Sequence, residues 1–211
     1  MLSISRRAGL IMLIGLPLAI GAPEARADTS SEASDFVQAL IGKALAILKQ
    51  SNLSASDRDR AFGELLSQNF DIPRIARFVV GRYWSSASEE ERNRFIDTYR
   101  NFVISSYASR FAEYTGETVR VTRARPESEN VTIVNSELIH PNGDPPVKIA
   151  WRVYKQTDGY RIVDVDVEGV SMMVTQREEF ASVIQRSGGS VAGLTQAIQQ
   201  KMQGGGTQSG G

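Results

Sequence analysis

The 211-residue chain contains no cysteine, a single histidine (His140) and no excess of either charge, with 24 basic and 24 acidic side chains. The missing thiols exclude disulfide staples, thiolate metal sites and cysteine nucleophiles. A lone imidazole cannot form the histidine pair of a zinc site. The even charge balance argues against a nucleic-acid partner, which requires a basic field. Long hydrophobic runs are missing too: "LIMLIGLPLAI", Leu10 to Ile20, falls short of the roughly 20 residues that span a bilayer.

That run follows Arg6 and Arg7 and precedes "ARA" at Ala25–Ala27, the layout of a cleavable secretory signal peptide over residues 1–27. Cleavage after Ala27 would leave 184 residues with a slight acidic excess. A chain of that size can bury one domain's core without disulfides, here over residues 28–203. The last eight residues, "GGGTQSGG" (204–211), have nothing to bury and read as a disordered tail.

Hydrophobic spacing divides the rest into helix, strand and helix again. A helical period governs Glu32 to Tyr114, strand-like alternation follows from Glu117 to Glu168, and the helical period returns after Val170. Helices then strands then helices predict an α+β fold with an antiparallel sheet of about four strands. In "FDIPRIARFVVGRYW" (Phe70–Trp84), Asp71 and Pro73 start a helix and Gly81 stops it. Its apolar face is Ile72, Ile75, Ala76, Val79, Val80 and Tyr83, with Arg74 and Arg77 off that face. Ser88 and Glu91 form a capping box for a long helix to about Tyr114. Its predicted stripe is Ile96, Tyr99, Val103, Tyr107, Phe111 and Tyr114, flanked by Phe95 and Phe102. In "VKIAWRVYKQTDGYRIVDVDVEG" a three-residue loop, Thr157 to Gly159, aligns both faces of a hairpin. That register sets Trp151 opposite Val165, Val153 opposite Val163, Ile149 opposite Val167 and Arg152 opposite Asp164.

Catalytic groups are sparse. Ser171 in "GVSMM" lacks the second glycine of a nucleophile elbow. Asp164, Asp166 and Glu168 share a strand face and have the oxygen chemistry of a hard-cation site, but the register offers them Arg152 and Lys148 instead. His140 sits at a turn before Pro141. An acid working on an apolar substrate would have to come from Asp97 or Glu113 on the aromatic helix.

What this accounting leaves over is an apolar surplus, which includes "EGVSMMVTQREEF" (Glu168–Phe180). "RFVVGRYWSSASEEERNRFIDTYRNFVISSYASRF", "PNGDPPVKIAWRV" and "VEGVSMMVTQREEFASVIQRSGG" together resemble the MlaC, or toluene-tolerance, family of periplasmic lipid-binding proteins. "FAEYTGE" and "FASVIQRSGG" look more like its hopanoid-associated branch, HpnM. The resemblance implies a twisted sheet packed by helices, NTF2-like or cystatin-like in appearance, around a deep apolar cavity for lipid tails. It implies a non-catalytic periplasmic carrier without cofactor or metal. Such a carrier moves a phospholipid or hopanoid between an inner-membrane lipid transporter and an outer-membrane lipid complex.

On that reading Phe78, Val79 and Tyr83 contribute to the cavity wall, together with Tyr99, Phe102, Val103, Tyr107 and Phe111 of the aromatic helix. Ile149, Trp151, Val153, Val163 and Val165 supply the sheet face, and Met172 and Met173 adaptable apolar surface. Arg74, Arg77 and Arg82 form a basic rim. Two other classes stay open at this point: a protein-interaction module with an apolar surface, and an NTF2-like enzyme acting on an apolar substrate.

Overall fold

The structure, a computed structural model, describes residues 24–50, 52–111 and 114–205, with the backbone alone for 24–28, 108–111 and 205. Most of the expected leader and the tail from 206 lie outside the described residues. Helices α1 (Glu24–Leu48), α2 (Ala55–Asn69) and α3 (Ile72–Val80) lead into a 3-10 turn (Gly81–Trp84) and α4 (Glu89–Phe111). Strands β1 (Thr118–Pro126), β2 (Val131–Ile139), β3 (Val147–Gln156), β4 (Gly159–Val167) and β5 (Val170–Ser171) follow, then α5 (Met172–Arg186) and α6 (Val191–Gly205). No helix among the described residues is long and apolar enough to cross a membrane.

Local chemistry sets the helix ends. The Asp71 carboxylate accepts the Arg74 N–H at 3.1 Å, and Gly81, at φ +62°, turns the chain out of α3. The capping box of α4 is reciprocal: the Ser88 N–H donates to Glu91 at 2.8 Å and the Glu91 N–H to Ser88 Oγ at 3.1 Å.

The strands form one antiparallel sheet in sequence order, β1-β2-β3-β4-β5, a short strand more than expected. Trp151 lies opposite Val165 and Val134, and the expected pairs Arg152–Asp164 and Ile149–Val167 are present. The hairpin end differs from expectation. Gln156 pairs with Gly159 across a two-residue turn, and Val153 pairs with Ile162 instead of Val163. A register shift between Arg152 and Val153 absorbs Val163 as an extra residue and so restores the alternation that the shorter turn breaks. Between β4 and β5, Glu168 (φ +51°) and Gly169 (φ +82°) make a turn with positive φ at both centres, which matches sheet twist. Glu168 is held there by Lys148, whose N–H it accepts and whose carbonyl it meets at 2.9 Å.

Two apolar clusters result. One lies between the sheet and α1, with Val37, Leu40 and Ile41 of α1 over Val134, Val153 and Ile162. The other joins α3, α4, α5 and α6 around Ile75, Val79, Phe95, Tyr99, Phe180, Ile184 and Leu194. Phe62 and Phe70 pack against both. In α4 the most buried positions are Phe95, Thr98 and Tyr99, whereas Tyr107, on the predicted stripe, is 37% exposed. The helix turns this side inward because its partners are α6, α2 and α3, not the sheet.

Candidate apolar binding site

The side of the sheet that faces α1 carries Val119, Val121 and Ala124 of β1, Val134 and Ser136 of β2, Trp151 and Val153 of β3, and Ile162 and Val165 of β4. Burial along it is uneven. Val153 and Ile162, toward the hairpin end, are fully buried, but Ile149, Trp151, Val165 and Val167 are only half-buried. Val119, Val121 and Leu138 on β1 and β2 are half-buried as well. The apolar face is therefore closed at one end and partly open at the other. Trp151 donates its indole N–H to Ser136 Oγ at 2.9 Å, which satisfies the ring's one polar atom within the sheet and leaves the rest of the surface free for apolar contact.

The second cluster is aromatic. Phe95, Tyr99 and Phe102 converge on Phe180 with ring centres 6.1, 6.0 and 6.1 Å away, two of them edge-on. Burial, with smaller contributions from Tyr107 and Asp164, pushes the Tyr99 phenol well above its ordinary range, so it stays neutral.

Asp164 ties the two regions together. Its buried carboxylate accepts hydrogen bonds from Ser171 Oγ (2.6 Å), the Met173 N–H (3.1 Å), the Val165 N–H (2.8 Å) and Arg152 Nη1 (3.2 Å). Ser171 also caps α5, accepting the Val174 N–H at 3.0 Å. The Glu-Gly-Val-Ser-Met segment is thus a tight turn, a short strand and a helix cap that fix Met172 and Met173 beside β4.

The expected lining residues divide between the clusters. Phe78, Val79, Tyr83, Tyr99, Phe102, Val103 and Met173 belong to the helical one, and Trp151, Val153 and Val165 to the sheet-facing one. Ile149 and Met172 are half-buried outside both, Val163 is buried at the bulge, and the Phe111 side chain lies outside the described residues. Sequence reasoning did not assign Val37, Leu40 and Ile41 of α1 to this site, nor Phe180, whose partners come from other helices. An open groove of about 520 Å³ runs between α2 and α4 past Gly63 and Ile104, and a hollow of about 370 Å³ lies on the sheet near Asn135, Ile149 and Asp166.

Catalytic groups do not gather on the apolar face among the described residues. Asp97 is exposed and paired with Arg100 at 2.8 Å, and Glu113 lies outside the described residues. His140 Nδ1 is 3.9 Å from Glu117. Asp164 lies across the sheet from Trp151 and all four of its bonds are structural.

The chain is similar to several known proteins. A phospholipid-binding protein from Ralstonia solanacearum, solved in complex with a phospholipid, superposes with a TM-score of 0.72 at 25% identity, covering 80% of this chain and 96% of that one. The intermembrane phospholipid transport system binding protein MlaC of Haemophilus influenzae is 22% identical over 147 residues, 66% of this chain and 69% of the relative. Toluene tolerance protein ttg2D of Pseudomonas putida is 22% identical over 193 residues, 89% of this chain and 86% of the relative. Residues 38–200 match the MlaC protein family, from the middle of α1 through α6, and the chain belongs to that family.

Proposed function

We propose that this protein is a non-catalytic phospholipid carrier that holds acyl chains against the half-open sheet face. The observation that carries the reading is the partial burial of Ile149, Trp151, Val165 and Val167 on one continuous apolar surface. A surface of this kind needs an apolar cover. The phospholipid held by the Ralstonia relative is a cover of that chemistry.

Phe78, Tyr83, Tyr99, Phe102, Val103, Tyr107 and the Met172–Met173 pair are proposed as a second wall, which α3, α4 and α5 would bring to the acyl chains by moving toward the sheet face. Burying a methylene is worth about 0.8 kcal/mol, so one long acyl chain gains on the order of 10 kcal/mol. Escape into water is then too slow for transport, and cargo passes while the carrier is docked to a partner. The proposed partners are an inner-membrane transporter and an outer-membrane complex. The leader over residues 1–27 would deliver the protein to the periplasm between them.

The test is native purification, organic extraction and mass spectrometry of the extract against an unrelated exported protein. Near-stoichiometric phospholipid is the expected result. A hopanoid in its place would keep the carrier and change its cargo. Folded protein without bound lipid would overturn the reading in favour of a protein-interaction module.

A further inference from the structure

A second surface is organised by arginines. From Ile72 to Ser88 the chain has three of them and no acid. Arg74, Arg77 and Arg82 are exposed, and Arg177 of α5 joins them: its guanidinium lies 4.9 Å from the centre of the Phe78 ring. A Cβ on Gly81 would stand 3.1 Å from Arg177 Nε, so α5 closes directly on the end of α3. Arg82 lies 4.9 Å from the Tyr83 ring centre and donates to its hydroxyl at 2.9 Å, and Arg74 lies 3.9 Å over Tyr154.

Arg74, Arg77, Arg82 and Arg177 form no ion pair among the described residues; elsewhere on the surface Arg60, Arg94, Arg100 and Arg120 are paired, and Arg123, Arg125 and Arg186 are unpaired but dispersed along the sequence. The neighbouring carboxylate Asp71 is engaged by the Arg74 N–H and the Gln156 amide. The segments that carry Arg177 and Val170 also carry exposed acids: Glu178 and Glu179 follow Arg177 on α5, Glu179 accepting the Gln176 amide, and Glu168 precedes Val170. A guanidinium stacked on a ring keeps in-plane N–H donors directed outward, the arrangement that suits two-point contact with phosphate. One turn before Arg177, Val174 is 45% exposed, and Val170 of β5 is 53% exposed. Arginine, aromatic ring and exposed aliphatic side chain together make an interfacial composition.

We propose that this face adsorbs to an anionic lipid bilayer, with the arginines on headgroup phosphates and Val170, Val174 and the Tyr83 ring at headgroup depth. A bilayer fits better than an acidic polypeptide because the unpaired Arg177 lies one turn from the exposed Val174, and neither hollow described above falls among the arginines. Phe78 and Tyr83 border both surfaces, but none of the four arginines belongs to the apolar interior, so substituting the arginines separates adsorption from cargo binding.

The experiment is co-sedimentation with sucrose-loaded vesicles of phosphatidylcholine, with and without phosphatidylglycerol, at low and raised salt. The full chain binds only the anionic vesicles, and salt weakens the binding. Arg74→Gln/Arg77→Gln/Arg177→Gln lowers partitioning about a hundredfold, roughly fivefold per arginine. Arg60→Gln/Arg94→Gln/Arg120→Gln removes the same charge from paired positions and changes it by no more than about threefold. Lipid extracted from each variant reads the apolar interior separately, so loss of cargo is not mistaken for loss of adsorption. No binding to anionic vesicles, or equal loss in both triple variants, overturns the proposal. Capture by poly-L-glutamate without capture by vesicles also overturns it and assigns the face to an acidic polypeptide.

Discussion

Removing the Asp164 carboxylate should cost this protein a large part of its stability, and the loss can be worked from four bonds. The side chain is fully inaccessible to solvent. In Asp164→Ala, Arg152 keeps Glu127, at 2.9 and 3.0 Å, and Ser171 keeps the Val174 N–H. The N–H groups of Val165 and Met173 lose the acceptor described here, at about 1–3 kcal/mol for each donor left unsatisfied. Relief from burying a charge offsets part of this, so a net loss of about 3–5 kcal/mol is expected. A domain of this size is typically stable by about 5–15 kcal/mol. The melting temperature should therefore fall by about 10 °C. Ser171→Ala alone should cost about 2 kcal/mol, through a lost helix cap and a lost bond to a carboxylate. Urea unfolding followed by near- and far-ultraviolet circular dichroism gives both values and their double-mutant cycle. Coupling of about 1–3 kcal/mol is expected between the two sites. A loss below about 1 kcal/mol for Asp164→Ala, or strict additivity with Ser171→Ala, would refute the view that this carboxylate joins β4 to α5.

Four other substitutions have expected outcomes. Gly193→Ala places a Cβ 2.1 Å from the Ser187 carbonyl, so α6 must shift away from α5; a stability loss of more than about 3 kcal/mol in urea is expected. Trp151→Asp puts a charge on the half-open apolar face, and the folded variant should yield at least tenfold less extracted lipid; full recovery would move the site elsewhere. Two carboxylates give opposite pH dependences in melting experiments. Hydrogen bonding by Arg152 holds Glu127 below its ordinary value of 4.5, so its stabilisation is complete above that pH and is lost as pH falls through the lowered folded value; Glu127→Gln should matter at pH 7 and little in strong acid. Burial, then the neighbouring Asp164, raises Asp166 above 3.8, so its ionisation works against folding as pH rises; Asp166→Asn should raise the melting temperature at pH 7 and leave it unchanged near pH 2.

Features confined to a few neighbouring residues were determined by the sequence itself. The Asp71–Pro73 start and Gly81 stop of α3, and the Ser88–Glu91 box of α4, depend on groups within one helical turn. The central β3–β4 register was readable for a related reason. Alternating valines and one Arg–Asp pair suit only one alignment of two adjacent strands. The resemblance to the MlaC family rested on such local segments, and the match over 38–200 agrees with it.

Tertiary packing decided everything that depends on which distant surfaces meet. Alternation cannot show that a two-residue turn will be offset by a bulge at Val163, because either solution keeps the apolar faces aligned. The spacing in α4 allows several inward faces, and α6, α2 and α3 select the side with Phe95 and Tyr99. Phe180 gains its three rings from a helix about 80 residues earlier, and Tyr160 bonds Glu32 of α1 across more than a hundred residues. The same holds for the candidate site. Its apolar residue types were legible, but their division between two cores joined by Phe62 and Phe70 was not, because burial belongs to the assembled layers and not to any one segment.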